Sequence, residues 1–287
     1  MIHSNSEGDI YIEEMPLLLV HLREEEKGAD ARLSEVLSYA LDGYAYETAT
    51  EISAFEDYVN RWRRLEKTQN RKNRVQGRIL FAVPLGTSGI NLELYRLIRF
   101  LREHPDFLNG FVGGLLVDSE NDLYSKSAAK DLVFAANCAG CAFVGRPLVE
   151  GTRTLSNYTI VSNNLGTDLM GAYRESAAGL VKEVLGTDCV RKKCPKVLVL
   201  HASSHKTSNT YAIWNRVKEQ LPEMEIREIG LRNGTLSDCA GCPYKMCLHF
   251  GEQGSCFYGG VMVEDVYPAV READAIVMLC PNYNDAL

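Results

Sequence analysis

Short apolar runs alternate with amphipathic helical patterns along nearly the whole chain, and that alternation admits few folds. Runs of Leu, Val and Ile without a polar partner face must be buried on both sides. Helical stretches between them supply the crossovers that parallel strands require. Strands are predicted near Leu17–Leu22, Tyr44–Thr48, Ile79–Pro84, Phe111–Val117 and Ala142–Val144. Helices are predicted at Ala29–Leu41, Ala54–Lys67, Leu92–Glu103, Ser125–Asn137 and about Asp168 to Leu185. Ser53 and Glu56 have the spacing of a capping box at the start of the second helix. Five βα units of this kind make a complete doubly wound α/β domain over residues 1–185.

Gly186, Pro195 and the basic trio Arg191, Lys192 and Lys193 mark residues 186–195 as a linker. A second α/β series fills residues 196–287: strand Lys196–Leu200, helix Asn209–Leu221, strand Glu225–Ile229, a cysteine-rich loop, helix Glu264–Glu272 and strand Ala275–Cys280. Three strands make an incomplete doubly wound sheet, truncated after its third strand. The chain therefore reads as a fragment, or as one whose last strand is covered by another domain or subunit, because a bare apolar edge invites aggregation. A weak internal repeat pairs Leu17–Leu22 with Val197–Leu200, and Arg78–Leu101 with the strand and loop at Ala275–Leu287. In the first domain the loop Arg23-Glu-Glu-Glu26 would repel an anion, so that domain reads as a relative that has lost an anion site.

Composition excludes several classes. Of 287 residues 46% are apolar and 24% charged, as in soluble globular proteins, and the net charge of −7 argues against general nucleic-acid binding. The basic run Arg61, Arg63, Arg64, Lys67, Arg71, Lys72, Arg74 and Arg78 has no aromatic platform and reads as a solvated helix face and linker. No apolar stretch reaches membrane-spanning length, and Leu17–Leu22 is too short and too acidic in its approach for a secretory leader. Nine cysteines without a leader point to the reducing cytoplasm. No Ser/His/Asp order or carboxylate pair supports hydrolysis.

The loop between the strand ending at Leu200 and the helix from Asn209 reads Ala-Ser-Ser-His-Lys-Thr-Ser-Asn-Thr. A strand that opens into hydroxyl and amide residues at a helix N-terminus suits a phosphate. Backbone N–H groups point at the anion, the helix dipole favours it, and hydroxyls add donors. An ordinary N-cap region is the plain alternative.

That loop, the Cys239-Ala-Gly-Cys242 turn, the Cys256…Val263-Glu-Asp265 segment and Ala273-Asp-Ala-Ile-Val-Met-Leu-Cys-Pro-Asn-Tyr283 occur in order. Together they resemble the NADPH-dependent FMN reductase and iron–sulfur flavoprotein families, over most of Lys196–Leu287. The resemblance implies a flavodoxin-like fold for this region and FMN as cofactor, with NAD(P)H as co-substrate. Ser203, His205, Ser208, Asn209 and Thr210 would lie on the FMN phosphate, and Pro281, Asn282 and Tyr283 would border the isoalloxazine ring. It also implies that the flavin accepts hydride and passes electrons to a quinone or another small acceptor, so no side chain is assigned a catalytic role.

Cys239, Cys242, Cys247 and Cys256 are spaced C-x2-C-x4-C-x8-C. Thiolates so spaced could ligate an iron–sulfur cluster or zinc, could form a redox disulfide between Cys239 and Cys242, or could be plain thiols of a loop lying over the flavin edge with Tyr244, Lys245 and His249. Cys138 and Cys141 repeat the tetrapeptide at a helix end and are expected to face the core. Cys189 and Cys194 are expected as surface thiols.

The expectation is therefore two doubly wound, flavodoxin-like domains. The first is a degenerate structural or dimerisation domain of a homo-oligomer. The second is an FMN-dependent NAD(P)H oxidoreductase domain acting on a small-molecule acceptor, with no nucleic-acid or membrane partner. The rival is a non-catalytic scaffold with a vestigial flavin site.

Overall fold

The computed structural model describes residues 15–23, 27–68, 76–188, 192–202, 208–231 and 236–280. Its contacts divide the chain into two compact units, Met1–Cys189 and Val190–Leu287. In the first, strands β1 (Leu17–His21), β2 (Tyr46–Ala49), β3 (Gly77–Leu85), β4 (Phe111–Ser119) and β5 (Ala142–Gly151) alternate with helices. The helices are α1 (Lys27–Ala40), α2 (Ile52–Thr68), α3 (Leu92–Glu103), α4 (Ser125–Cys138), the short α5 (Thr159–Leu165) and α6 (Leu169–Gly186). All strand pairs are parallel and the order is β2-β1-β3-β4-β5, the flavodoxin-like winding.

The pleat sorts neighbouring residues of one strand into two cores. Leu18, Val20, Ile79, Phe81 and Leu115 meet Phe55, Trp62 and Leu97 of α2 and α3. Leu17, Leu19, Leu80, Ala82 and Leu116 meet Leu33, Tyr173 and Leu180 of α1 and α6. That is why the central strands read as unbroken apolar runs. Gly114 lets α6 close on β4, since a Cβ there would lie 2.8 Å from Val184 Cγ2 and 2.9 Å from Leu180 Cδ1. The edge strand β5 is interrupted: residues 144–147, including Pro147, stand opposite Gly114 alone, and the bulge blunts the edge.

Two local expectations are corrected. The second helix begins at Ile52, with Phe55 N–H donating to Glu51 O, so Ser53 lies inside the first turn and its hydroxyl turns to Glu51. The capping box with Glu56 is not built. In the basic run the helix part is solvated as expected, with Arg61, Arg64 and Lys67 exposed and Arg63 half-buried. Arg61 pairs with Glu47, and Arg63 donates to Asp106 O over the Phe107 ring. Arg78 instead caps the end of α6 through the carbonyls of Val184 and Thr187. Arg71, Lys72 and Arg74 lie outside the described residues.

The second unit contains β6 (Lys196–His201), α7 (Asn209–Lys218), β7 (Glu225–Gly230), α8 (Tyr244–Glu252), a π-helical turn at Met262–Val266, α9 (Tyr267–Glu272) and β8 (Ala275–Leu279). Its parallel sheet has the order β7-β6-β8. In both units, then, the first strand lies between the second and third. The second core is small. Val197, Val199, Tyr211 and Trp214 are its buried members, and α9 packs against β6, with Ala269 of α9 and Val266 of the π-helical turn buried. Ile276 and Met278 of β8 are exposed. The helix α8 is unexpected: it occupies part of what reads in sequence as a cysteine-rich loop. Asp274 fastens the start of β8 to that of β6 by accepting from Lys196 N at 3.0 Å and Lys192 Nζ at 2.6 Å.

Candidate functional site

A doubly wound sheet offers its crevice at the carboxyl ends of the strands, where the order reverses. In the second unit that point lies between β6 and β8. The loops that follow these two strands are the ones singled out in the sequence. Of the expected residues, Ser208, Asn209 and Thr210 lie in described positions. Ser203, His205, Pro281, Asn282 and Tyr283 lie outside the described residues.

Ser208 is the N-cap of α7. Its backbone is extended, at φ −90° and ψ 111°, and its Oγ accepts from Tyr211 N–H at 3.2 Å. Asn209 and Thr210 form the first turn, where N–H groups have no carbonyl partner within the helix. His201, buried at the end of β6, places its ring 5.0 Å from that of Tyr211, and its carbonyl accepts from Leu231 N–H at 2.6 Å. The helix N-terminus is thus fixed against the end of the central strand.

The same helix carries a polar cluster that no local sequence pattern predicts. Glu228 of β7 accepts from Tyr211 Oη at 2.6 Å, Lys218 Nζ at 2.8 Å and Trp214 Nε1 at 3.3 Å. Partial burial alone would raise this carboxyl. The bonds from Lys218, Tyr211 and Trp214 outweigh it and hold the group down to about 2. Tyr211 is pushed up in return, chiefly by its bond to the carboxylate.

The loop cysteines do not assemble. Cys239, Cys247 and Cys256 are exposed free thiols and Cys242 is half-buried, also as a thiol. Among the described residues no three His, Cys, Asp or Glu side chains come together as a metal site. The reason is local: α8 takes up Cys247 and His249 between Cys242 and Cys256. Cys138 is also exposed, against expectation, because α4 ends on it, while Cys141 enters the core. Cys194 is exposed, and Cys189 lies outside the described residues.

The carboxyl end of the first sheet is built differently. His21 ends β1, and its Nε2 lies 2.8 Å from Asp30 Oδ1 in the first turns of α1. Asn91 caps α3 by accepting from Leu94 N–H and donates to the carbonyls of Leu22 and Pro84, so it ties β1 to β3. Arg32 donates to both oxygens of Asp118 and to the carbonyls of Ser119, Thr152 and Arg153. Gly151 must be glycine here: a Cβ would lie 2.7 Å from Asp118 Oδ2. Arg32 and Asp118 are spent on one another at this crevice, and Glu24, Glu25 and Glu26 of the acidic loop lie outside the described residues.

Two features on neighbouring loops of that end face outward. Ile90 and Leu92 precede and open α3, and Leu123 and Tyr124 precede α4; all four are exposed. Asn121 Nδ2 donates to Thr87 O at 3.2 Å and holds the two loops together.

Residues 195–287 match the model of the NADPH-dependent FMN reductase family. No curated protein and no solved structure matches the chain. No helix among the described residues is long and apolar enough to cross a membrane.

Proposed function

We propose that the chain is an FMN-dependent NAD(P)H oxidoreductase whose second unit takes the flavin phosphate at the N-terminus of α7 and passes electrons to a quinone or another small acceptor. The observation that carries this reading is the Ser208 cap at the carboxyl end of the central strand β6, inside the segment that matches an FMN reductase model. The residues fit the group. A hydroxyl, two first-turn N–H groups and the positive end of a helix dipole meet where the strand order reverses, and the carboxylate bonded to Tyr211 of that helix, Glu228, is engaged by three donors.

Bound FMN supplies the hydride and electron chemistry. The chain's own residues bind and orient. Ser208, Asn209 and Thr210 hold the phosphate end, with Ser203 and His205 assigned to the same loop. Pro281, Asn282 and Tyr283 are assigned to the ring edge by the resemblance. The first unit, with its own crevice closed by Arg32 and Asp118, serves as a structural or dimerisation body in the cytoplasm. The exposed Ile90, Leu92, Leu123 and Tyr124 support a contact role for it.

A scaffold without catalysis is the second reading, favoured by the exposed Ile276 and Met278 on β8. Reconstitution with FMN separates the two. Stoichiometric flavin absorbance and NAD(P)H-dependent bleaching of it are expected of the reductase. Protein that retains no flavin and oxidises no NAD(P)H would leave the scaffold.

A further inference from the structure

We propose that Glu228 is a positioning residue for the anion cradle, acting through Tyr211 on the N-terminus of α7; the proposal rests on the FMN reading given above. Tyr211, Trp214 and Lys218 follow one another at helical spacing on a single face of α7, and all three donate to the one carboxylate on β7. Tyr211 is also the residue whose N–H is accepted by the Ser208 hydroxyl, and whose ring lies against His201 at the end of β6. One carboxylate therefore sets where the helix begins relative to the strand end that faces the ligand.

Apolar packing leaves that setting open. In the first unit α1 is seated by Leu33, Val36, Leu37 and Ala40, all buried, in addition to the polar bonds of Asp30 and Arg32. In the second, only Tyr211 and Trp214 of α7 are buried. Burial without shape specificity fixes a helix face but not its axial position. A polar network with directional bonds does. Phosphate binding by backbone N–H groups is steeply dependent on distance and angle, so a helix free to shift loses affinity for a phosphate before it loses its fold.

The test compares FMN with riboflavin, which share the ring and the ribityl chain and differ in the phosphate. Affinities are read by quenching of flavin fluorescence for the full chain and for Tyr211→Phe and Glu228→Gln, with circular dichroism confirming the fold of each. The wild type should prefer FMN by about tenfold or more, and each variant should lose about threefold or more of that preference while binding riboflavin unchanged. A packing role alone would weaken both ligands together and leave the ratio intact. Should Glu228→Gln not fold, Tyr211→Phe, which removes a single hydroxyl, carries the test. Wild-type preference retained in the folded variants overturns the positioning role and leaves the cradle standing. Equal affinity of the wild type for both flavins removes the cradle itself, and the positioning role with it.

Discussion

Arg32 and Asp118 form a bidentate ion pair at the carboxyl end of the first sheet, with Nη2 2.8 Å from Oδ1 and Nε 3.0 Å from Oδ2, although 86 positions separate them in sequence. Asp118 is buried completely. Its carboxyl is pushed upward by that burial, against the pull of Arg32. Replacing Arg32 by Met would strand a buried carboxylate, and a loss of about 3–5 kcal/mol is expected for breaking one side of such a pair. The double variant Arg32→Met with Asp118→Leu should recover much of it. Urea unfolding followed by the tyrosine and tryptophan signals checks both; equal loss in the single and double variants would count against the pair.

His21 predicts a pH dependence. Burial lowers its protonation point below 6.5, with the neighbouring Asp30 opposing and Arg23 assisting. Between the folded value and 6.5 the unfolded chain therefore binds more protons than the folded one, and stability falls as pH drops below 6.5. His21→Gln should flatten the midpoint of thermal unfolding between pH 7 and pH 5.5. An unchanged slope would show that other groups govern it.

Ser208→Asp is expected to weaken FMN binding about tenfold or more, on the order of 1.4 kcal/mol, because it sets a carboxylate against a phosphate dianion. Since Asp is itself a good N-cap, helix α7 should keep its stability. Titration with FMN that shows no change would remove this helix end from the site.

The thiols should divide sharply by accessibility. Cys239, Cys247 and Cys256 are exposed and should react with a disulfide reagent within the first phase in native protein. Cys141 is buried and should react only on unfolding. Mass mapping of the modified sites decides it, and early modification of Cys141 would contradict the packing of β5 on α4.

Gly114→Ala should destabilise the first unit by about 1–3 kcal/mol, since the added methyl overpacks against Leu180 and Val184 of α6. Ala in place of Gly145, where nothing lies within 4 Å of a new Cβ, is the control and should be near neutral. Thermal unfolding of the two variants side by side gives the comparison.

The alternation of strands and helices, the parallel sheets and the three-strand second series were legible in the sequence. These are local or periodic properties. Leu17–His21 and Phe111–Ser119 are buried on both faces and therefore read as apolar runs. Ser208 caps α7 through a residue three positions away, within the reach of a sequence window. Boundaries shifted where caps competed, as at Glu51 and Ser53, and α8 was lost among cysteines whose spacing suggested a loop.

Which polar groups meet depends on how the elements pack. Nothing local singles out Arg32 within α1, Glu228 within β7 or His21 at the end of β1. Each is defined by partners brought in by sheet order and register, which no local pattern encodes. The four loop cysteines make the same point in reverse. Their spacing permits a ligand set, but ligation needs four sulfurs converging on one point, and the chain path through α8 places Cys247 on a helix and leaves Cys239 and Cys256 in solvent. Spacing along the chain limits which groups can meet; the path of the chain in space selects those that do.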